Sequence, residues 1–437
     1  MKILQHAPLC ASILLALLAT PSPMAGGAPL SGAGVIKIEK RGDSFVLLRD
    51  GAPYYIKGIG GQKKIEDAAA DGANSTRTWG CDKAQEILDQ ARGVGMTVSV
   101  GVWLDHNAAR YNDPGYKARM RTEIENLVKK IKNHPALFCY ALGNETNSGA
   151  DTPAAWAFIN ELSAYIHKED PHHPTMTVLA GSSVGTINKV AQYAPTIDLV
   201  GINSYRGIVN APRDVEASNF KGPYLITEWG PYGHWEVGKS AWGAPLEQTS
   251  EEKAAAYLSS YEMILKNNKR CLGSYVFLWG QKQERTPTWY GMFLEENPQL
   301  GLKGEGLSCV DVMQKMWTGK VPVNRSPVIV GLEAAGHPGD KSVLLKTNEN
   351  LTLDLKASDP DNDKLTYVWE VLPEATHLGS GGSFEGRPKA VSGAIKSGDK
   401  TSHVTIAISQ PGNYRVFGYA LDGKGKAGTA NLPIQVK

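Results

Sequence analysis

The chain has almost no excess charge of either sign. Its 437 residues include 46 Lys and Arg against 44 Asp and Glu, which gives a formal net charge of +2. Phosphate contacts require an excess of basic side chains, so this balance excludes a generic polyanion binder, and we expect no nucleic-acid partner. Phenylalanine is also scarce, at 8 residues, but 10 Trp and 17 Tyr are present. Such an aromatic content excludes a disordered chain and indicates large buried surfaces.

Long apolar runs are rare as well. The most apolar stretch, 11–19, follows Lys2 and precedes small residues and prolines up to Ala28. This order is typical of a secretory signal peptide, which we place at 1–28 with cleavage after either Ala25 or Ala28. No other stretch approaches the roughly 18 apolar residues of a membrane span. We therefore expect an exported protein, periplasmic or extracellular, without a transmembrane segment.

Cysteine is sparse, with five residues in all. Cys10 lies in the predicted signal peptide, and Cys81, Cys139, Cys271 and Cys309 remain. No C-x-x-C pair indicates a metal site. Cys139 lies in an apolar run and is predicted to be a buried thiol. Because export permits disulfides, Cys271 with Cys309 is the first pairing to test.

Two regions of different character follow one another. Residues 29–320 alternate β-rich runs with amphipathic stretches, residues 321–327 form a proline-punctuated linker, and residues 328–437 contain only short strand-like runs. The strand-like runs of the first region are eight: 54–59, 75–79, 97–103, 136–142, 175–179, 199–203, 224–227 and 273–279. This pattern predicts an α/β fold, a (β/α)8 TIM barrel. A doubly wound sheet is the alternative, but 58–61 lacks the glycine spacing of its phosphate loop.

The last region is predicted to be a small all-β, immunoglobulin-like sandwich. Its short strands are separated by turns such as 411–413 and 421–423. Residues 357–369 resemble polycystic-kidney-disease-type and cadherin-like modules of exported proteins. Asp359, Asp361 and Asp363 in this stretch either ligate calcium or form a solvated turn. We expect the region to bind polysaccharide, or to space and solubilise the protein, and we place no catalytic residue in it.

Two glutamates follow apolar runs at the positions where a barrel places its chemistry. Asn144 and Glu145 come directly after the fourth predicted strand, and Glu228 follows the seventh. Active sites of (β/α)8 barrels lie at the C-terminal ends of the strands. Retaining hydrolysis of a glycosidic bond needs a carboxylic acid for the leaving oxygen and a carboxylate that attacks the anomeric carbon, about 5–5.5 Å apart. The pair therefore predicts a retaining glycosidase that needs no metal or organic cofactor.

These positions resemble the signature of the clan A retaining glycoside hydrolases. Residues 55–58, with Lys57-Gly58, and residues 72–74 followed by Arg77 are similar to elements of the glycoside hydrolase family 2 barrel, the family of β-galactosidases and β-glucuronidases. The resemblance covers residues 45 to about 317. Families 5 and 72 of the same clan, which include endo-glucanases and glucanosyltransferases, share the glutamate pair.

The resemblance implies a role for each of five residues. Glu145 would be the general acid/base and Glu228 the nucleophile. Arg77 would keep Glu228 ionised, and Tyr205 would donate a hydrogen bond to it. Asn144 would bind the sugar 2-hydroxyl, an interaction that strengthens in the transition state.

Aromatic residues near strand ends are candidate sugar-binding groups. By the resemblance, Trp279 after the eighth strand would be the platform beneath the reacting sugar. Trp229 also falls at a strand end and is a candidate for sugar contacts, and His106 could bind sugar hydroxyls. The long loop 230–248 could close over the acceptor side of the cleft.

The sequence as a whole predicts a secreted retaining β-glycoside hydrolase. Its expected substrate is a polysaccharide or oligosaccharide, such as a β-glucan or a related glycan. A transglycosylase with the same glutamate pair is one alternative. A non-catalytic carbohydrate-binding envelope protein is another. The sequence predicts neither the sugar and its linkage nor the oligomeric state.

Overall fold

The structure, a computed structural model, describes residues 28–267, 269–337, 341–379 and 383–437. Residues 1–27 of the predicted signal peptide lie outside the described residues. Across the described ranges, no helix is both long enough and apolar enough to cross a membrane.

Eight parallel strands close into a barrel, which confirms the predicted (β/α)8 architecture. Most of these strands are buried along their whole length, because neighbouring strands and helices cover both faces; they therefore appear in the sequence as nearly continuous apolar runs. The barrel strands are β4 (Ile56–Gly60), β5 (Ser75–Arg77), β6 (Thr97–Val102), β7 (Leu137–Asn144), β8 (Thr175–Ala180), β9 (Leu199–Asn203), β10 (Tyr224–Trp229) and β11 (Cys271–Val276).

The helices surround the barrel, and several begin at clear capping signals. Asp113 accepts a hydrogen bond from the backbone of Gly115 ahead of Pro114, the first residue of its helix. Thr249 and Glu252 form a reciprocal capping box. The helices are α1 (Ile65–Ala70), α2 (Ala84–Gly93), α3 (Pro114–Ile131), α4 (Asn147–Ala150), α5 (Pro153–Glu169), α6 (Val184–Tyr193), α7 (Ala211–Ala217), α8 (Ser250–Lys266) and α9 (Ser308–Thr318).

A small antiparallel sheet precedes the barrel and packs against one end of it. Its strands are β1 (Ile36–Arg41), β2 (Ser44–Arg49) and β3 (Ala52–Pro53). Ile36 and Leu47 from this sheet share an apolar cluster with Ile56, near the start of β4, and with other side chains of the barrel strands. The N-terminal end of the barrel is therefore filled, and the opposite end carries the open cleft.

Two four-stranded sheets follow the barrel, and we call residues 328–437 the C-terminal module. One sheet has the order β14 (Val328–Ala334), β16 (Leu351–Ser358), β19 (His403–Ile406), β18 (Ile395–Ser397). The other has the order β15 (Val343–Leu345), β21 (Ala427–Val436), β20 (Gly412–Leu421), β17 (Thr366–Pro373). Side chains from both sheets form a common apolar cluster, in which Leu353, Val404, Val416 and Ile434 are fully buried. β-sheets are therefore present in this region, and the all-β immunoglobulin-like module stays a prediction. Two short strands between the barrel and the module, β12 (Glu296–Asn297) and β13 (Leu302–Lys303), form a hairpin.

The module packs firmly against the barrel. Phe417 and Tyr419 of β20 are buried in the same apolar cluster as the barrel helices. Polar contacts surround this apolar area: Arg415 donates to the backbone oxygen of Pro245, and Thr429 donates to Ser250. Ser326, in the predicted linker, is buried and donates its backbone N–H to a carboxylate of α9. The two regions thus share one packed interface.

The four cysteines within the described ranges are free thiols. Cys139 is fully buried, as predicted. The suggested pairing of Cys271 with Cys309 is wrong in this structure. Their sulfur atoms lie near different backbone oxygens, those of Gly273 and Met292 respectively.

Candidate active site

A cleft of about 870 Å³ opens at the C-terminal ends of the barrel strands. Its volume falls in the usual range for ligand sites. Most of its lining comes from strand ends and the loops that follow them, and the rest comes from the C-terminal module. The lining residues are Trp79, Trp103, His106, Asn144, Glu145, Ser148, Tyr205, Glu228, His234, Trp235, Phe277, Leu278, Lys282, Glu284, Arg285, Tyr290, Gly379 and Ser383.

Glu228 is the most enclosed acid of this cleft, with 6% of its surface exposed. Three side chains donate hydrogen bonds to its carboxylate. Arg77 Nη1 and Trp79 Nε1 lie 3.1 and 2.7 Å from Oε1, and the Tyr205 hydroxyl lies 3.3 Å from Oε2. The carboxylate is therefore held in one orientation at the end of β10.

Opposing effects set the ionisation of Glu228. Burial raises its pKa to about 7, and the nearby negative charge of Glu145 acts in the same direction. Arg77, Trp79 and Tyr205 lower the pKa, because each interacts more favourably with the charged form. Burial outweighs the donors, so the pKa of Glu228 lies above the usual value of a glutamate.

Glu145 follows directly after β7 and has an uncommon backbone conformation. Its φ of 54° lies in the left-handed region, which non-glycine residues seldom adopt. The backbone holds this turn: Glu145 N donates to Val178 O at 2.9 Å, and Glu145 O accepts from Ser148 N at 2.8 Å. Such conformations cluster at functional sites. Here the turn accompanies a carboxylate that lines the cleft.

A continuous set of hydrogen bonds connects the two glutamates. The buried Arg77 contacts Asn144 as well as Glu228: its Nη2 donates a hydrogen bond to Asn144 Oδ1 at 2.9 Å. The Nδ2 of Asn203 donates to the same Asn144 oxygen at 3.1 Å and to Glu145 Oε1 at 2.9 Å. Within the described ranges Asn144 Nδ2 has no protein acceptor, so this donor remains for a ligand.

Two exposed tryptophans line the cleft. Trp103 has 45% of its surface exposed and stacks on His106, with ring centroids 5.2 Å apart. His106 Nε2 lies 2.7 Å from the backbone oxygen of Asn144, so this ring supports the strand end that carries Glu145. Trp235, in the loop after β10, is 58% exposed. Large exposed aromatic faces in a cleft are suited to stacking on sugar rings.

Two of the predicted sugar-binding tryptophans are core residues, and those predictions are wrong. Trp279 is fully buried, packs against Phe293 and Trp317, and donates its indole N–H to Lys64 O at 3.0 Å. The strand β11 ends at Val276, earlier than predicted, and Phe277 and Leu278 line the cleft instead. Trp229 is also fully buried and stacks on a tyrosine of α8, with centroids 5.8 Å apart.

The calcium interpretation of the Asp-rich turn is not supported. In the described part of the chain, no group of three or more His, Cys, Asp or Glu residues is placed to hold a metal ion. Asp361 forms an ion pair with Arg325, and Asp363 forms one with Lys424. Two of the three carboxylates thus pair with protein cations, while the Oδ2 atoms of Asp359 and Asp363 are buried without a hydrogen-bond partner in the described ranges.

Sequence reasoning did not predict the contacts that three residues make at the site. Trp79 is one of several tryptophans near strand ends and does not stand out among them, yet its indole makes the shortest hydrogen bond to Glu228. Asn203 ends the apolar run of β9, the same signal that singled out the glutamates, and it was overlooked. Glu385 of the module, which contacts a cleft-lining barrel loop, carries no signal in the sequence.

Comparisons with known proteins agree with this geometry. Residues 80–273 match the family model "Glycosyl hydrolases family 2, TIM barrel domain". A β-glucuronidase from Rattus norvegicus is 26% identical over 258 residues, which cover 51% of this chain and 38% of that protein. A probable mannan endo-1,4-β-mannosidase C from Aspergillus terreus is 26% identical over 131 residues, 23% of this chain and 32% of that protein. The chain thus spans less than half the length of these relatives.

A solved structure shows the same fold. The β-D-glucuronidase of Dictyoglomus thermophilum superimposes with a TM-score of 0.51 and 17% sequence identity, over 66% of this chain and 54% of that one. Together with the family match, this supports a relationship between the barrel of this chain and the TIM-barrel domain of the family 2 glycosyl hydrolases.

Proposed function

We propose that this protein is a retaining β-glycoside hydrolase that acts on an oligosaccharide or polysaccharide. The observation that carries the proposal is the buried Glu228 carboxylate, which accepts three hydrogen bonds and is linked to Glu145 through Arg77, Asn144 and Asn203. A retaining mechanism requires two carboxyl groups with different tasks on one cleft. The relationship to family 2 glycosyl hydrolases supports the same reaction class.

Each side chain has a definite task in the proposed reaction. Glu228, in its ionised form, attacks the anomeric carbon while Glu145 protonates the departing oxygen. Glu145 then acts as a base and removes a proton from water as the water oxygen attacks the anomeric carbon. The bond between that carbon and Glu228 breaks, and the sugar is released with its anomeric configuration retained. Arg77 and Trp79 orient the attacking carboxylate, and Asn144 Nδ2 donates to a sugar hydroxyl. No step needs a metal or an organic cofactor.

A glycan longer than one sugar fits the shape of the cleft. Trp103 lies on the β6 side of the glutamates, and Trp235 lies on the β10 side. Because each exposed ring could stack on a separate sugar, the aromatic lining favours substrates with several units. The names of the relatives add glucuronides and β-1,4-mannan to the β-glucans that should be tested first.

The same proposal includes export from the cytoplasm. It rests on the apolar run 11–19 and the small residues that follow it. Mass spectrometry of the mature N-terminus after expression with secretion would locate the cleavage point. An intact Met1 on all of the protein would contradict export through this segment.

The function is tested with a panel of polysaccharides and aryl β-glycosides. On the accepted substrate, proton NMR of the first product should show the β-anomer. A 2-fluoro glycoside of the same sugar should label Glu228, as identified by peptide mass spectrometry. Glu228→Gln should be neither active nor labelled, because a neutral amide cannot form the glycosyl-enzyme. Label on another residue, or an α-anomer as first product, would refute the mechanism.

A further inference from the structure

A carboxylate of the C-terminal module is bonded to a loop of the barrel at the edge of the cleft. Glu385 has 3% of its surface exposed. Its Oε2 accepts the backbone N–H of Arg285 at 2.7 Å, and its Oε1 accepts the backbone N–H of Gly379 at 2.9 Å. Arg285 and Gly379 both line the cleft. One buried side chain therefore ties a barrel loop and a module segment together at the site.

The barrel loop at this contact is held in an unfavourable conformation. Arg285 has a φ of 62°, in the left-handed region that costs a non-glycine residue free energy. The Glu385 carboxylate contributes a charge-assisted hydrogen bond to that backbone. Without Glu385, other conformations of Arg285 would become accessible. The module thus helps to determine where the Arg285 side chain points.

A cationic side chain beside this contact lacks a hydrogen-bond partner in the protein. Within the described ranges, the Arg285 guanidinium makes no hydrogen bond to a protein acceptor. Its Nε is buried, but its two Nη groups are not. Oxygen atoms of a bound ligand can therefore accept hydrogen bonds from the Nη groups. The hydroxyl of Tyr290 is buried against the backbone of His234, so Tyr290 offers the cleft only its ring.

An aromatic layer separates Arg285 from the nucleophile. The Tyr205 hydroxyl contacts Glu228, and the Tyr205 ring lies 5.4 Å from the Tyr290 ring and 5.7 Å from the Trp235 ring. His234 packs edge-on against Trp235, with centroids 4.8 Å apart. Arg285 therefore belongs to a part of the cleft beyond the sugar that reacts at Glu228.

The electrostatics of this part of the cleft suit a hydroxyl-rich ligand. Burial and the positive charge of Arg285 lower the pKa of His234 to about 4, so its ring is neutral near pH 7 and can accept or donate a hydrogen bond. Lys282 and Glu284 pair with each other at 2.7 Å. The hydrogen-bond donors of His234 and Arg285 are directional and suited to sugar oxygens. The exposed face of Trp235 is available for a pyranose ring.

We propose that Arg285 and Trp235 form a binding subsite for a second sugar unit, and that Glu385 of the module is its positioning residue. The inference rests on the proposed function and extends it: the substrate is an oligosaccharide or longer glycan rather than a single-sugar glycoside. The C-terminal module then shares in substrate selection through its contact with the barrel.

Binding can be measured without turnover in the full chain carrying Glu228→Gln. The probes are three tetrasaccharides: β-1,4-mannotetraose, cellotetraose and laminaritetraose. Each is compared with the methyl β-glycoside of its own sugar, and both association constants are measured by isothermal titration calorimetry. For the probe pair that binds, Arg285→Ala should lower the ratio of tetrasaccharide to monosaccharide association constants about tenfold or more, since hydrogen bonds from a charged donor are lost. Glu385→Gln cannot accept both backbone N–H groups equally well, and it should lower the same ratio by a smaller factor.

Arg213→Ala is the matched control, because Arg213 is an exposed arginine of α7 paired with Asp214. It should leave the ratio unchanged. Thermal melting followed by circular dichroism ensures that only folded variants are compared. If Arg285→Ala does not fold, Arg285→Gln replaces it in the binding measurement. An unchanged ratio in the Arg285 variants, or equal weakening of both ligands, would overturn the subsite while the proposed function stands. If the parent binds none of the tetrasaccharides more tightly than the matching monosaccharide glycoside, the subsite is overturned, and the substrate panel decides the proposed function separately.

Discussion

Replacing Trp79 with Phe tests how Glu228 is kept ionised. The substitution removes the indole N–H that donates to Glu228 Oε1 at 2.7 Å but keeps an aromatic ring against Phe277. A hydrogen bond to a charged acceptor contributes about 1.5–3 kcal/mol. Because one pKa unit corresponds to about 1.4 kcal/mol, the pKa of Glu228 should rise by about 1–2 units. Its starting value is about 7.

The direction of the effect on activity follows from the role of Glu228. The nucleophile must be ionised, so kcat/KM falls as the pH drops through its pKa in the free enzyme. The acidic limb should therefore lie near pH 7 in the parent and move upward by about 1–2 units in Trp79→Phe. The measurement is kcat/KM against pH on an aryl β-glycoside that the parent accepts.

Trp103→Phe is the control for this experiment. Trp103 lines the same cleft and stacks on His106, but within the described ranges it makes no hydrogen bond to either glutamate. The acidic limb of the kcat/KM profile of Trp103→Phe should coincide with that of the parent. An acidic limb in Trp79→Phe that stays in place or moves to lower pH would refute the role of the Trp79 indole in keeping Glu228 ionised.

Two further substitutions test other parts of the structure. Glu145→Ala should lower kcat/KM about 10²–10⁴-fold on a natural glycan, but far less on a dinitrophenyl glycoside, whose leaving group needs no proton. Azide should restore turnover of that activated substrate and give a β-glycosyl azide by NMR; equal losses on both substrates with no rescue would assign Glu145 a binding or packing role. Phe417→Ala should reduce the free energy of unfolding by about 3–5 kcal/mol. Because Phe417 is buried in the cluster shared with the barrel, tryptophan fluorescence and circular dichroism should report one common transition in denaturant. Separate transitions would show that barrel and module unfold independently.

Much of the barrel could be predicted because its signals are local. The strands are covered on both faces, so each appears as a short apolar run between amphipathic stretches. The same runs located Glu145 and Glu228, because a charged residue at the end of a buried parallel strand falls on the face where barrels place their chemistry. The starts of α5 and α8 are local signals too, because Thr152 and Thr249 cap these helices.

The orientation of the tryptophans could not be read in this way. The sequence pattern assigns Trp229 and Trp279 to the cleft, yet both are buried in the core. Successive side chains at a strand end point in opposite directions, so an error of one residue in the end of a strand exchanges a core position for a cleft position. For Trp279 the error was larger, because β11 ends at Val276, three residues before the predicted end.

The sequence by itself determined the alternation of strands and helices, the change to an all-β module, and the two glutamates at strand ends. Only the tertiary structure decided that Trp79 and Asn203 contact those glutamates, and that Glu385 reaches Arg285 from 100 residues further along the chain. The physical reason is the distance along the chain over which each kind of interaction acts. Periodicity and capping act between neighbours in sequence, whereas hydrogen bonds between separate elements depend on how the closed barrel and the module pack, which no local pattern encodes.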